Sequence, residues 1–182
     1  MDYITPALSV TLLVLLAVSA VGLWYVIQLM LPLIHYGGPY VVSRSEHVDA
    51  MIRLAKLTPA DRITDLGSGD GRIVIAAASE GVADALGIEI NGALVKASEF
   101  SSHRLGLKNA RFVRESFWKS NISDRTVVFL YQVPYAMRKL ETKLQEELPP
   151  GARVISNDFK FVNWKPIEEH GRIRIYVKSE VA

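Results

Sequence analysis

The 182-residue chain contains no cysteine, which excludes disulfides, thiolate zinc sites and cysteine nucleophiles together. Its four histidines, His35, His47, His103 and His170, stand far apart, and none has a partner at metal-ligand spacing, so no metal is expected. The 21 Lys and Arg residues against 19 Asp and Glu leave a net charge of only +2. They form no long basic run and no basic-aromatic repeat, so nucleic acid is a poor partner for this chain. Internal repeats and low-complexity segments are also missing. The length suits one domain plus an appendage and leaves no room for a second catalytic domain.

Charge itself is missing from Ala7 to Ile34, where Leu, Val, Ile, Met and Ala dominate. As a helix this run extends ~40 Å at ~1.5 Å per residue, enough to cross a ~30 Å hydrocarbon core with tilt. No Lys or Arg precedes it, and it continues past Ala17-Val18-Ser19, which argues against a cleaved signal peptide. Trp24, Tyr25 and Tyr36 are candidate interfacial anchors. Arg44, Arg53, Lys56 and Arg62 follow the run while only Asp2 precedes it, which predicts the C-terminal domain on the cytoplasmic side of a membrane. The expected organisation is an anchor and connector over 1–38 and a catalytic domain over 39–182.

What the domain does have is Asp65-Leu66-Gly67-Ser68-Gly69-Asp70-Gly71-Arg72, set between the β-like Arg62-Ile63-Thr64 and the helix-like run from Ile73 to Ala78. Glycines admit φ > 0 and a close backbone approach, so main-chain N–H groups are expected beside a small ligand. A dinucleotide fingerprint needs a glycine at its sixth position, where this chain has Arg72. Gly67, Gly69 and Gly71 after an acidic residue instead suit a nucleoside without pyrophosphate, S-adenosylmethionine, with Asp65 facing its ammonium group. About twenty residues on, Glu89 closes the strand-like Ala85 to Ile90, placed to accept both ribose hydroxyls and to repel a 2′-phosphate.

The rest of the domain alternates. Ser45 with Glu46 starts a helix that Thr58-Pro59 ends. Asn91 caps a helix to about Leu105, with Gly106 as its stop. Ala110 to Arg114 is a third strand, and the apolar Thr126 to Tyr131 a central fourth. A helix from about Tyr135 to Leu148, the turn Pro149-Pro150-Gly151 and a fifth strand, Arg153 to Asn157, follow. Arg172 to Val177 alternates, as suits an antiparallel edge strand. The expected fold class is α/β: a Rossmann-like, doubly wound sheet with its ligand across the C-terminal strand ends.

The glycine motif, together with Gly87-Ile88-Glu89-Ile90-Asn91, resembles the seven-strand, class I S-adenosylmethionine-dependent methyltransferases. Pro39-Tyr40-Val41-Val42-Ser43, Val133-Pro134 and Pro150 to Ser156 with Trp164, behind the apolar N-terminal helix, are similar to the membrane-anchored protein-lysine methyltransferases of the ATP synthase c subunit and the adenine nucleotide translocase. The resemblance runs from about Tyr36 to Trp164. It implies that Asp65, Gly67, Ser68 and Gly69 line the methionine end of the cofactor, that Glu89 with Asn91 serves the ribose, and that the end of strand three meets the adenine. There the chain has Glu115-Ser116-Phe117 rather than an acidic residue directly before an apolar one, so Glu115 or Ser116 takes the adenine N6 and Phe117 encloses the ring.

Methyl transfer from a sulfonium is an in-line displacement, needing a positioned neutral nucleophile and little water. For a lysine acceptor, an apolar or aromatic slot favours the uncharged amine. Tyr131, Gln132, Pro134 and, by the resemblance, Tyr40 are the expected acceptor-facing residues, with Asn157, Asp158 and Trp164 closing the slot. The leading expectation is a membrane-anchored enzyme acting on lysine in a membrane protein. A methyltransferase for a lipid, quinone or other small membrane-associated molecule, and a non-catalytic nucleotide-binding domain, are the alternatives.

Overall fold

A computed structural model of the chain describes residues 4–35 and 44–179, and on the first stretch the side chains of 9–24. The chain divides into two compact units, Met1–Gly38 and Pro39–Ala182. The first contains one helix, α1 (Ile4–His35), on which Val10, Leu13, Val18 and Trp24 are exposed. Among the described residues no helix is long and apolar enough to cross a membrane. A span needs ~20 apolar residues, and the uncharged run extends past 9–24 at both ends.

The second unit is an α/β domain. Its strands are β1 (Arg62–Leu66), β2 (Asp84–Glu89), β3 (Ala110–Arg114), β4 (Val127–Leu130), β5 (Arg153–Asn157), β6 (Glu168–His170) and β7 (Ile173–Val177), and its helices are α2 (Ser45–Ala55), α3 (Arg72–Ser79), α4 (Gly92–Arg104) and α5 (Pro134–Glu147). One seven-stranded sheet has the order β3-β2-β1-β4-β5-β7-β6. The first five strands are mutually parallel, and β7 runs antiparallel to both β5 and β6. The strand order reverses between β1 and β4, which opens a crevice at their C-terminal ends.

Alternation along the strands sorts two core layers. Ile63, Phe129 and Ile155 face α2 and α3, with Met51, Val74 and Ala77. Leu66, Val128, Leu130 and Val154 face α5, with Met137, Leu140 and Leu144. β4 is buried at all four positions, as a central parallel strand must be when helices cover both faces.

At the opposite, N-terminal ends of the strands, Asp84 is gripped by three arginines. Arg111 Nε donates to its Oδ1 at 2.9 Å, Arg62 lies at 3.6 Å, and the buried Arg125 makes a short contact. Burial pushes the Asp84 carboxyl up, but the arginines outweigh it and hold it below the usual range. Asp61 behaves alike: burial opposes ionisation, yet hydrogen bonds from Arg153, Thr126 and Thr58 bring it down to about 2.

Two expectations are corrected here. β7 is not the edge: the three-residue β6 covers it, and the charged Glu168-Glu169-His170 carries no strand-like alternation to betray it. β4 stops at Leu130, before Tyr131. α2 starts at Ser45 as expected, preceded by Arg44 as an N-cap without a side-chain hydrogen bond.

Candidate cofactor and acceptor site

β1 ends at Asp65-Leu66, the loop 67–71 turns over the sheet edge, and Gly71 caps α3 in a left-handed conformation. Four of the five N–H groups of this loop are bonded within the protein. Gly67 and Ser68 both donate to the Ile88 carbonyl at 2.9 and 3.0 Å, and Gly71 donates to Ser68 O at 2.9 Å. Gly69 N–H donates to Glu89 Oε2 at 2.9 Å. These donors are engaged within the protein, whereas a pyrophosphate binds such a loop through its N–H groups.

Gly67 is a glycine because the protein's own packing leaves no space for a side chain. It has φ +84°, and a Cβ there would stand 2.7 Å from Gln132 Nε2. That same amide, buried at the end of β4, donates to the Leu66 carbonyl at 2.7 Å. Gln132 therefore fixes the floor of the glycine loop. Ser68 turns beneath the loop, into space left open by Gly87, where an added Cβ would meet its Oγ at 2.7 Å. Its buried hydroxyl has no partner among the described residues.

Glu89 sits at the end of β2 with each carboxylate oxygen used once, Oε2 by Gly69 N–H and Oε1 by Asn91 N–H at 2.8 Å. Each oxygen keeps a further lone pair, so the group both anchors the loop and remains able to accept two hydroxyls. Asn91 is committed to capping α4, its Oδ1 accepting from Ala93 N–H at 3.0 Å. Asp65 is buried, and its carboxyl is pushed up to about 8 by burial and then by the neighbouring Glu89 and Asp70 charges. Such a group gains from a fixed positive charge placed beside it. A sulfonium nucleoside with an amino-acid tail therefore fits this cradle on two counts: diol acceptors on Glu89 and an Asp65 carboxyl that a cation would ionise.

Beyond β3, Glu115 N–H donates to Glu89 O at 3.0 Å, which brings the two carboxylates' backbones together. The exposed Glu115 side chain is steered by Ser120 Oγ, which donates to it at 2.8 Å. Ser120 is held in turn through its carbonyl, which accepts from the buried Lys143 Nζ at 2.7 Å. Ser116 is half-buried. Phe117 is buried in the α5-side layer, tilted against Trp118 with ring centroids 4.7 Å apart.

At the acceptor end, Tyr131 is half-buried and its hydroxyl reaches toward Asp158 Oδ2 at 3.5 Å, the outer limit of a hydrogen bond. Pro134 is the exposed first residue of α5, where its missing N–H costs nothing. Tyr40 lies outside the described residues. Trp164 stacks on Phe161 and leans on Tyr176, at 5.4 and 5.3 Å between centroids. The residue that sequence reasoning missed is Glu141. Buried on α5, it accepts from the N–H groups of Val162, Asn163 and Trp164 at 2.8, 3.0 and 2.7 Å. It thus docks the segment after β5 onto the helix. Its signal was an acid within the apolar stripe Met137, Leu140, Leu144.

Among the described residues no group of side chains is placed to hold a metal ion. Comparison with known proteins agrees with the geometry. A family model described as the ANTKMT methyltransferase domain matches residues 65–168. A protein-lysine N-methyltransferase of Saccharolobus islandicus is 36% identical over 132 residues, 71% of this chain and 82% of that protein. A lysine N-methyltransferase of the ATP synthase c subunit, from Xenopus laevis, is 42% identical over 129 residues, 70% of this chain, and the match spans only 56% of its length. A crystal structure of an RNA methyltransferase from Salinibacter ruber, in complex with S-adenosyl-L-homocysteine, superposes with a TM-score of 0.71 at 36% identity, covering 78% of this chain and 97% of that one. With its sheet order, its Glu89-anchored glycine loop and these likenesses, the chain belongs to the S-adenosylmethionine-dependent protein-lysine methyltransferase family.

Proposed function

We propose that the chain is a membrane-anchored methyltransferase that moves a methyl group from S-adenosylmethionine to a lysine side chain of a membrane protein. The observation that carries the reading is the family match over 65–168, which takes in the candidate residues from Asp65 to Trp164. The uncharged run Ala7 to Ile34 supports the anchor, and the Arg and Lys residues that follow it support a cytoplasmic catalytic domain. A tethered site meets substrates in the plane of the bilayer, which suits relatives that act on a component of the ATP synthase.

The cofactor, when bound, supplies an electrophilic methyl carbon on sulfur. The chain supplies position. Asp65 takes the ammonium of the amino-acid tail, the loop from Gly67 to Gly69 runs beside it, and Glu89 accepts from the ribose hydroxyls. Glu115, aimed by Ser120, takes the adenine amine, with Ser116 beside it. At the acceptor side Tyr131 and Pro134 border the slot, and Gln132 fixes the glycine loop beside it.

An RNA acceptor is the second reading, favoured by the description of the Salinibacter ruber structure and opposed by the small net charge and scattered basic residues. Tritiated S-adenosylmethionine incubated with the full chain and membranes from cells lacking it separates the readings. Protease-sensitive label recovered as methyl-lysine supports the proposal, nuclease-sensitive label supports RNA, and label wholly extracted by organic solvent supports a lipid or quinone.

A further inference from the structure

The acceptor end of the sheet contains a buried polar atom that the described residues leave unsatisfied. Asn157, the last residue of β5, is 2% exposed, and its Oδ1 has no hydrogen-bond partner among the described residues. An unsatisfied buried oxygen is costly, so its retention calls for a ligand. Its surroundings, by contrast, are tightly held. Ser156 Oγ donates to Phe159 O at 2.8 Å, and Phe159 N–H donates to Asn157 O at 3.1 Å. Asp158 is left-handed at φ +78°, with its N–H on Arg172 O at 2.7 Å and its carboxylate on the Arg172 guanidinium, Nε at 2.9 Å. Arg174 Nη1 donates to its carbonyl at 2.5 Å. Backbone held in a sparsely populated region by this many contacts marks a place where geometry serves something other than stability.

The direction of Asn157 follows from alternation. Ile63 and Ile155 share one core layer, so Asp65 and Asn157, each two residues further on, project from the same face at the C-terminal ends of β1 and β5. Tyr131 follows directly on β4, whose last residue Leu130 pairs with Ser156 of β5, and its hydroxyl reaches toward Asp158, the residue after Asn157, at 3.5 Å. Asn157 therefore stands next to the tyrosine expected to face the acceptor.

We infer that Asn157 Oδ1 accepts a hydrogen bond from the acceptor lysine amine and orients its lone pair toward the methyl carbon; this rests on the protein-lysine reading above. The neutral amine's lone pair forms the new N–C bond as the S–C bond breaks. The bonding pair returns to sulfur, leaving S-adenosylhomocysteine and a methylammonium whose N–H still points at Asn157. Positive charge that develops on nitrogen strengthens this bond in the transition state, so the interaction accelerates the step. A neutral amide accepts the N–H without holding the lysine charged beforehand, as a carboxylate would.

The test uses the full chain, tritiated S-adenosylmethionine and membranes, with melting temperature and S-adenosylhomocysteine affinity measured alongside. For Asn157→Ala, at least a tenfold loss of turnover is expected, with unchanged affinity and a melting temperature that holds or rises because an orphan polar group has gone. For Asn157→Asp, activity is expected to set in at higher pH than in the native chain. Native turnover in Asn157→Ala overturns the inference, as does loss of activity in step with cofactor affinity or melting temperature. If the native chain places no label on protein lysine, the functional reading itself has failed and the lysine assignment falls with it. Failure of the inference alone is seen only in the variants of a chain that does label lysine.

Discussion

Replacing Asp65 by Asn tests the cofactor cradle where its electrostatics are most unusual. The buried carboxyl titrates at about 8 in the folded chain, against ~3.9 when unfolded. Between those values the folded state holds a proton that the unfolded state has lost. Stability of the free protein therefore falls by ~1.4 kcal/mol per pH unit from pH ~4 to 8 and levels off above. Asn keeps the shape and removes the titration, so the difference in unfolding free energy between the Asp65→Asn variant and the native chain should grow in the variant's favour across that window. Cofactor binding runs the other way. At pH 7 the carboxyl must surrender a proton before it can pair with an ammonium, at ~1.4 kcal/mol for a group titrating one unit higher. Affinity for S-adenosylhomocysteine should rise up to ~tenfold between pH 6 and 7 and level off above pH ~8, where the carboxyl is already ionised. Denaturant titration and calorimetry on the full chain in detergent from pH 5 to 9 read both curves. A stability difference that stays flat from pH 5 to 8, with pH-independent affinity, refutes the assignment of Asp65 to the ammonium.

Other perturbations separate the remaining roles. Glu89→Ala should weaken S-adenosylhomocysteine binding by roughly 1.5 to 3 kcal/mol through lost charged hydrogen bonds, read by calorimetry; unchanged affinity would remove Glu89 from the ribose. Tyr131→Phe should leave that affinity intact and lower turnover, whereas equal loss of both indicates that the tyrosine only packs. Asp61, held at about 2, contributes stability that is present above pH ~4 and lost as pH falls toward 2, roughly 2 kcal/mol in all. Asp61→Asn should abolish that part of the acid transition in circular dichroism, and an unaltered transition would assign it to other carboxylates.

The sheet was legible because its signals are local. Glycines at 67, 69 and 71 announce the β1 turn, Asn91 announces α4, and the apolar run around Phe129 announces a strand buried on both faces. The spacing of about twenty residues from the glycines to Glu89 also assigned both to one site, and Gly69 N–H does meet Glu89. How they meet did not follow, because the use of the loop's N–H groups by Ile88 and Glu89 depends on the β1 to β2 register. β6 was invisible since three polar residues gain their strand geometry only from β7. Glu141 reads as one more helix acid until the segment from Val162 to Trp164 folds over it. Phe117 at a strand end is written identically whether it faces a purine or the core, and the packing of α5 decided for the core.

The arginine clamp on Asp84 lies at the starting ends of the strands, while the buried oxygens of Ser68 and Asn157, without partners among the described residues, lie at the finishing ends. Cohesion and chemistry are thus assigned to opposite poles of the sheet. Residues that greet the acceptor are free to drift toward new targets while the distant ionic knot keeps the domain folded, so a lineage can retune what it modifies without first finding compensating mutations elsewhere.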